Sequence, residues 1–157
     1  MRVEGDFSVD APIEEVWHLF LDPEKLCRVM PGCEEAHRID ETHYEATLAT
    51  KVQFMTVRAR ALGELVEQLA PTHLVVEMTG ETLAMAGAFR GRMELRLRGE
   101  NGETDVHYDF DITMLGRLGS LGAPIVRSTA RRITDEFAAN VSSYLRPDDS
   151  NSGGPNA

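Results

Sequence analysis

The sequence predicts an α+β fold in which a curved antiparallel β-sheet wraps around one long C-terminal α-helix. Alternating apolar and polar residues recur from residue 3 to about residue 114, the period of strands with one solvated face. Two short helical segments follow the first alternating run, and a long apolar stripe with helical spacing comes last. Because one long helix must cover the apolar face of all the strands, the sheet is expected to curl and to leave space beneath it.

The N-terminal part combines one strand with two short helices. "VEGDFSV" alternates as a strand does, and "DAPIEEVWHLF" then begins a helix for which Asp10 is the candidate N-cap. "DPEKL" repeats this start signal with Asp22 as the cap. The second helix is expected to end near Val29, because Pro31 disfavours helical geometry in the residue before it. The apolar face of the first helix consists of Ile13, Val16, Trp17 and Phe20.

Five further alternating runs predict the rest of the sheet, which is expected to hold five or six strands after the helices. They are "HYEATLAT", "QFMTVRARAL", "HLVVEMTG", "GRMELRLRG" and "DVHYDFDITM". Turn signals such as "LAPTH" and "GENGET" separate them, as consecutive antiparallel strands require. The set expected to face the helix includes Tyr44, Ala46, Leu48, Met55, Val57, Ala59, Ala61, Val76, Met78, Met93, Leu95, Tyr108 and Phe110.

The last element is predicted to be a helix from about Pro124 to Leu145. Proline fits a first turn but would kink a helix interior, so a broken turn is expected over residues 119–123. The stripe consists of Leu118, Leu121, Ile125, Thr129, Ile133, Phe137, Val141 and Tyr144. Residues 1–146 are interpreted as one domain, and residues 147–157, rich in Gly, Pro, Ser and Asp, as a disordered polar tail.

Charge and hydropathy exclude several classes of protein. The net charge of −10 argues against nucleic-acid binding. From Leu115 to Arg146, however, five arginines face two acidic residues, so this segment could meet an anionic membrane or partner, or be only a solvated helix face. The sequence shows neither a secretory signal nor an apolar run of about 18 residues. A cytoplasmic location is expected, with peripheral contact at the inner membrane face as an extension of it.

The segment "RVMPGCEEA" raises the question of a reactive thiol. Cys27 and Cys33 form a C-x5-C spacing that matches neither a zinc site nor a redox C-x-x-C motif, so two reduced thiols are expected. Glu34 and Glu35 would raise the pKa of the Cys33 thiol, whereas a nucleophile needs a lowered pKa. The Pro-Gly pair is therefore interpreted as a turn between the second helix and the next strand.

No arrangement typical of catalysis or of a metal centre emerges from the sequence. The five histidines form no HExxH or similar motif, and no Gly-x-Ser-x-Gly occurs. Asp105, Asp109 and Asp111 alternate along one strand face, a pattern more typical of a solvated surface than of a metal site. The polar groups expected near the space under the sheet are Tyr44, Gln53, Tyr108 and Thr129. None of them is a general base, which argues against an enzyme.

The predicted interior is rich in methionine and alanine. Methionine adapts to varied apolar shapes, so the pattern favours a hydrophobic ligand site, although ordinary core filling is the alternative. A hollow without a ligand would cost stability. The candidate ligand-binding residues are Trp17, Met30, Met55, Val57, Ala59, Met78, Met85, Phe89, Met93, Tyr108, Phe110, Leu121, Ile125, Thr129 and Ile133.

Several motifs resemble the SRPBCC or START-like helix-grip superfamily and, within it, the CoxG group, named for the CoxG subunit of carbon monoxide dehydrogenase. They are "APIEEVWHLFLDPEKLCRVMPGCEE", "YEA", "GAFRG" and "GRLGSLGAPIVRSTARRITDEFAANV", and they extend over residues 1 to about 145. Many relatives carry Lys-Val-Gly-Pro where this chain has Gln53 and Phe54 after Lys-Val, which is expected to alter one edge or the mouth of the cavity. Longer relatives also carry a membrane-binding C-terminal extension.

The resemblance implies a cavity for a hydrophobic molecule between the sheet and the C-terminal helix. It also implies a non-enzymatic accessory of a molybdenum-containing hydroxylase such as carbon monoxide dehydrogenase. A bound quinone or other isoprenoid would serve electron delivery, or the protein would recruit the enzyme to the membrane through the Arg-bearing helix. The two short helices would form the cavity rim, with Met30 and Cys33 as wall or gate. The alternatives are a ligand-free assembly module and a cyclase- or isomerase-like enzyme.

Overall fold

The computed structural model describes residues 1–84 and 86–145, and it confirms the predicted α+β architecture. A seven-stranded antiparallel sheet curves around the C-terminal helix, and two short helices follow the first strand. The expectations for Met85 and for a disordered tail at 147–157 lie outside the described residues.

The elements follow the predicted order closely. The first part comprises β1 (Arg2–Val9), α1 (Ile13–Phe20) and α2 (Pro23–Val29). The remaining strands are β2 (Cys33–Arg38), β3 (His43–Val52), β4 (Met55–Leu69), β5 (His73–Thr82), β6 (Gly87–Glu100) and β7 (Glu103–Gly116). One 3₁₀ turn (Arg117–Ser120) then precedes α3 (Ala123–Leu145), which confirms the predicted broken turn.

The sheet order is β1-β7-β6-β5-β4-β3-β2, so the first strand pairs with the last one. Every neighbouring pair is antiparallel, and most are joined by short turns. Register shifts between Cys33 and Glu35 and between Leu65 and Glu67 interrupt β2 and β4. Such irregularities bend the strand that carries them, and they help the sheet to close around α3.

The two short helices begin differently from each other. Asp22 caps α2 as predicted, because its carboxylate accepts a hydrogen bond from the Lys25 N–H at 3.2 Å. The prediction for Asp10 is wrong: Pro12 occupies the N-cap of α1, and no side chain caps this helix. The Asp10 N–H instead donates to the Ser142 hydroxyl at 3.1 Å, which ties the start of α1 to the end of α3.

The compact core occupies one end of the molecule, here called the closed end. The buried faces of α1 and α2 pack there against the C-terminal half of α3. Phe137 of α3 contacts Phe7 edge-on and stacks on Phe20, with ring centroids 5.7 Å and 6.0 Å apart. Aromatic pairs of this kind stabilise a core beyond the area they bury. The short helices therefore close one end of the fold, whereas the sequence placed them at a cavity rim.

Cys27 and Cys33 form a disulfide, so the expectation of two reduced thiols is wrong. The Pro-Gly turn between them explains the pairing. Gly32 adopts a φ of +81°, which favours glycine, and the Cys33 N–H donates to the Met30 carbonyl at 3.1 Å. This tight reversal returns the chain alongside the last turn of α2, where Cys27 lies. The bond links α2 to the edge strand β2.

An open groove between the sheet and the C-terminal helix

Away from the closed end, the concave face of the sheet is incompletely buried: Ala59 and Ile112 are buried, as is Val126 of α3, but many of their neighbours are only half-buried. Side chains of β4 to β7 point toward α3 and yet remain partly accessible to solvent, as do the residues of α3 that face them. This accessible strip, called the groove below, is lined by Ala46, Val57, Ala61, Met78, Phe89, Met93, Tyr108, Phe110, Met114, Ile125, Thr129, Ala130, Ile133 and Thr134. The groove ends at the open end of the molecule, where the β3–β4 turn and the 3₁₀ turn lie.

The placement of α3 keeps the groove open. Its main backbone neighbours in the sheet are β1, at one margin, and β3, near the other. Within the described part of the chain, the central strands β5 and β6 are not among its main contacts. The helix therefore spans the curved sheet from margin to margin, and the central strands lie farther from it.

Three aromatic rings lie flat against the floor of the groove. A Cβ placed on Gly80 would come within 2.3 Å of the Phe89 ring, and one on Gly91 within 2.6 Å of the Phe110 ring. Each ring thus occupies the space that a side chain on the neighbouring strand would need. Tyr108 covers Gly5 in the same way, its hydroxyl oxygen 2.8 Å from such a Cβ. The Phe89 and Phe110 rings lie along the sheet and add little height to the floor of the groove. The Tyr108 hydroxyl, in contrast, reaches Thr134 of α3.

Small residues line the same concave face farther along the sheet, on β3, β4 and β5. Ala46, Ala61 and Gly80 are paired across β3, β4 and β5, and all three point to the concave face. The prediction that small residues face inward here is confirmed. Ala59, the neighbouring inward residue of β4, is also small, and it is buried. These residues add little side-chain volume above the sheet.

Two hydroxyl arrangements supply the polar atoms near the groove. Tyr44 donates to the Leu21 carbonyl at 2.9 Å, and burial raises the pKa of its hydroxyl. Thr134 Oγ1 lies 2.8 Å from the Ala130 carbonyl oxygen and 3.3 Å from the Tyr108 hydroxyl oxygen. Among the described residues that line the groove, none carries a carboxylate or an imidazole.

Most of the predicted ligand-binding residues meet along the groove. Met78, Phe89, Met93, Tyr108 and Phe110 lie on the concave face, as the alternation predicted. Val57 and Ala59 belong to the same face of β4, and Leu121, Ile125, Thr129 and Ile133 lie half-buried on or just before α3.

Other predicted site residues lie elsewhere. Trp17 is only 4 % exposed within the compact core, and Met30 packs against that core. Met55 is nearly half exposed at the open end. Gln53, one of the expected polar groups, lies in the exposed β3–β4 turn with a φ of +56° and not in the groove. The sequence interpretation missed Thr134, although it directly follows a stripe residue.

The rim at the open end exposes several large apolar side chains. Phe54 is fully exposed at the tip of the β3–β4 turn, and Met55 follows it. Leu83 and Leu115 are nearly half exposed at the ends of β5 and β7, on the same side of the molecule. Isolated apolar residues are common on protein surfaces, but a set gathered around one opening is typical of an interaction site.

The charges of the chain are segregated between the two ends. Three sequence segments that run through the open end, 46–63, 82–93 and 112–134, hold nine of the 16 Lys and Arg residues and none of the 26 Asp and Glu residues. Arg58, Arg92 and Arg132 form ion pairs with residues outside these segments. Within the described chain, the other six form no ion pair: Lys51, Arg60, Arg90, Arg117, Arg127 and Arg131.

The convex face of the sheet carries paired charges. Arg2 binds Asp109 and so lowers the pKa of that carboxyl group, while hydrogen bonds from Ser8 and then Arg98 lower the pKa of Asp105. Two shallow depressions of about 480 and 170 Å³ on this face are lined mainly by such polar residues. Over residues 1–84 and 86–145, no cluster of His, Cys, Asp or Glu could hold a metal ion.

The fold is START-like, and it is shared with solved structures of low sequence identity. A START superfamily protein from Mycobacterium smegmatis matches with a TM-score of 0.71 at 12 % identity, covering 93 % of this chain and 97 % of that one. A conserved protein from Geobacillus kaustophilus gives 0.83 at 20 % identity, with 92 % and 95 % covered. The Zhui aromatase/cyclase from Streptomyces sp. R1128 gives 0.61 at 13 %, with 100 % and 98 % covered.

The chain belongs to the CoxG family, the family of the CoxG subunit of carbon monoxide dehydrogenase, which it matches over residues 5–146. No curated protein sequence matches it significantly. Within the described residues, no helix is both long and apolar enough to cross a membrane.

Proposed function

We propose that this protein carries a hydrophobic small molecule, quinone-like or isoprenoid, in the groove between the sheet and α3. The observation that supports this most is the half-buried concave face with its low aromatic floor. A chain that needed only a packed core would not retain so much partly exposed apolar surface beneath a helix, because burial of apolar area is what stabilises a fold. A bound apolar molecule would complete that burial.

The family name supports a proposal for the partner. Its description names carbon monoxide dehydrogenase, and we propose that the chain serves such a molybdenum-containing hydroxylase by electron delivery or by membrane recruitment. The lack of a carboxylate or imidazole among the described groove residues supports a carrier over a cyclase-like enzyme, because these are the groups that most often serve in general acid–base catalysis.

Native mass spectrometry of the protein purified from its own host tests the carrier. We expect an adduct of a few hundred daltons that is lost on organic extraction, and a rise in Tm when the extract is added back, because a ligand that binds only the folded state stabilises it. Large hydroxylase subunits in the same preparation would support the proposed partner. A clean apo mass together with no thermal shift from added quinones would contradict the carrier.

The open end would face the membrane from which the ligand comes. The sequence placed this contact on the arginines of α3 alone, whereas the charge-segregated surface also includes the β3–β4 turn with Phe54 and Lys51. Apolar side chains that project ahead of basic ones suit an anionic lipid surface, which attracts the bases and accepts the apolar tip. The acidic remainder of the chain would be repelled and would orient the molecule.

Vesicle flotation tests this contact. We expect the protein to bind vesicles of phosphatidylglycerol and phosphatidylcholine but not of phosphatidylcholine alone, with binding that weakens as salt is raised. Phe54→Ser should lower the bound fraction about tenfold, since a buried Phe contributes roughly 1.5–3 kcal/mol. Leu69→Ser is the matched control, because Leu69 is exposed at the opposite end. Equal losses in both variants would refute docking through the open end.

A further inference from the structure

We infer that Tyr108 and Thr134 form a hydrogen-bonding seat for the polar end of the ligand, and that this seat accepts either a carbonyl or a hydroxyl group. The inference rests on the proposed carrier function and adds the chemical class of the ligand: an apolar molecule with one oxygen-bearing end that enters the groove first. The apolar remainder would then extend toward the open end.

The Tyr108–Thr134 pair lies at the border of the groove. Tyr108 lies on β7 at the border between the compact core and the groove, since its ring contacts Phe7 with a centroid distance of 6.3 Å. Phe110, the next inward residue of β7, belongs to the open groove. The Tyr108 hydroxyl thus lies at the inner end of the groove, beyond the rings of Phe89 and Phe110.

Tyr108 and Thr134 each have one hydroxyl proton to donate. Thr134 has a single hydroxyl proton, and the Ala130 carbonyl is its nearer acceptor, at 2.8 Å against 3.3 Å for the Tyr108 oxygen. When Thr134 donates to Ala130, its oxygen can accept the proton of Tyr108. The Tyr108 oxygen then has a lone pair for which the described residues supply no donor.

Two ligand forms satisfy this arrangement in different ways. A ligand hydroxyl can donate to the Tyr108 oxygen while Tyr108 continues to donate to Thr134. A ligand carbonyl can instead accept the Tyr108 proton if the ring hydroxyl rotates away from Thr134, which loses only a long hydrogen bond of 3.3 Å. The pair can therefore hold the oxidised or the reduced form of one carrier molecule without a change in backbone.

Tyr44 shows why the seat is at Tyr108. It is the other inward tyrosine of the sheet, but its proton is committed to the Leu21 carbonyl at 2.9 Å, and the Arg38 guanidinium lies over its ring. Tyr44 thus serves to join β3 to the end of α1. Tyr44→Phe, which removes this hydroxyl, is therefore a matched control for the loss of the Tyr108 hydroxyl.

Displacement of the neutral fluorophore N-phenyl-1-naphthylamine by three probes tests the inference. Decylbenzene has no polar atom, decyl phenyl ketone only accepts, and 4-decylphenol donates and accepts. We expect the wild-type protein to bind the ketone and the phenol about three- to tenfold more tightly than decylbenzene, the effect of one net hydrogen bond. Tyr108→Phe should abolish both preferences and leave decylbenzene affinity unchanged, whereas Tyr44→Phe should preserve them.

Thr134→Val distinguishes a ligand that accepts the Tyr108 proton from one that donates to the Tyr108 oxygen. Without the threonine acceptor, the ketone no longer has to displace a hydrogen bond from Tyr108, so the ketone preference should rise. The phenol preference should change less, because the phenol can accept the Tyr108 proton as well as donate its own. If decylbenzene binds as well as the other probes, or if Tyr108→Phe keeps both preferences, the inference is overturned and the carrier function stands. If none of the three probes displaces the fluorophore, both proposals are overturned.

Discussion

Ala61→Phe is expected to lower the affinity of the groove for an apolar ligand at least tenfold while leaving the fold intact. Ala61 lies on the concave face of β4 between Ala46 and Gly80, and it is half-buried. A phenyl ring there would project into the space that the small residues leave free. The affinity of N-phenyl-1-naphthylamine, measured by fluorescence titration, reports the loss.

The free energy of unfolding of the same variant decides whether the groove is open or filled by the protein itself. In an open groove the new ring meets solvent, so a change below about 1 kcal/mol is expected. If α3 were packed down onto the sheet, as in a ligand-free assembly module, overpacking would cost about 1–3 kcal/mol. Leu62→Phe is the matched control, because its side chain is 46 % exposed on the opposite face. It should leave both measurements unchanged.

Alternation and turn signals were sufficient to predict the sheet and the direction of its side chains. Strand residues have only two faces to choose between, so the inward positions of Met78, Met93 and Phe110 follow once the apolar set is known. The long helix was equally predictable, since Pro124 marks its first turn and the apolar stripe continues to the end of α3. These are local patterns, and each is visible in a short window of sequence.

The depth of the groove could not be predicted because it depends on pairs of residues in different strands. In the sequence, Gly80 and Gly91 appear only as residues that weaken a strand. The structure shows that each makes room for a ring of the next strand, Phe89 or Phe110. That match requires the register between strands, which alternation alone does not supply. The seat at Thr134 was missed for the same reason, since only contact with Tyr108 distinguishes it from other helix threonines.

The two ends of the molecule have different physical characters, and this bears on how a carrier would work. At the closed end, Phe7, Phe20 and Phe137 form a packed aromatic cluster that holds α3 against the sheet. Toward the open end the same helix has few close partners in the central strands. A ligand that enters at the N-terminal half of α3 would leave this aromatic cluster intact, because Phe137 lies in the C-terminal half of the helix.

Replacing Cys27 and Cys33 together by serine is expected to lower the free energy of unfolding by about 2 kcal/mol, the loop entropy for so short a closed segment. The bond joins α2 to β2, and α2 is also held to α3 by a hydrogen bond from the Asn140 side chain to the Val29 carbonyl at 3.0 Å. Urea unfolding of the oxidised protein and of the variant measures the difference.

A reductant is the control, because it should destabilise the wild-type protein by the same amount and leave the double serine variant unchanged.

The fold itself should persist, since α2 keeps its Asp22 cap and its buried Val29 without the disulfide. The effect on ligand affinity is expected to be small, because Cys27 and Cys33 lie beside the edge strand and not along the groove. If the wild-type protein unfolded at the same urea concentration with and without reductant, the disulfide would contribute nothing to stability. In that case the Pro-Gly turn and the α3 contact alone would hold α2 in place.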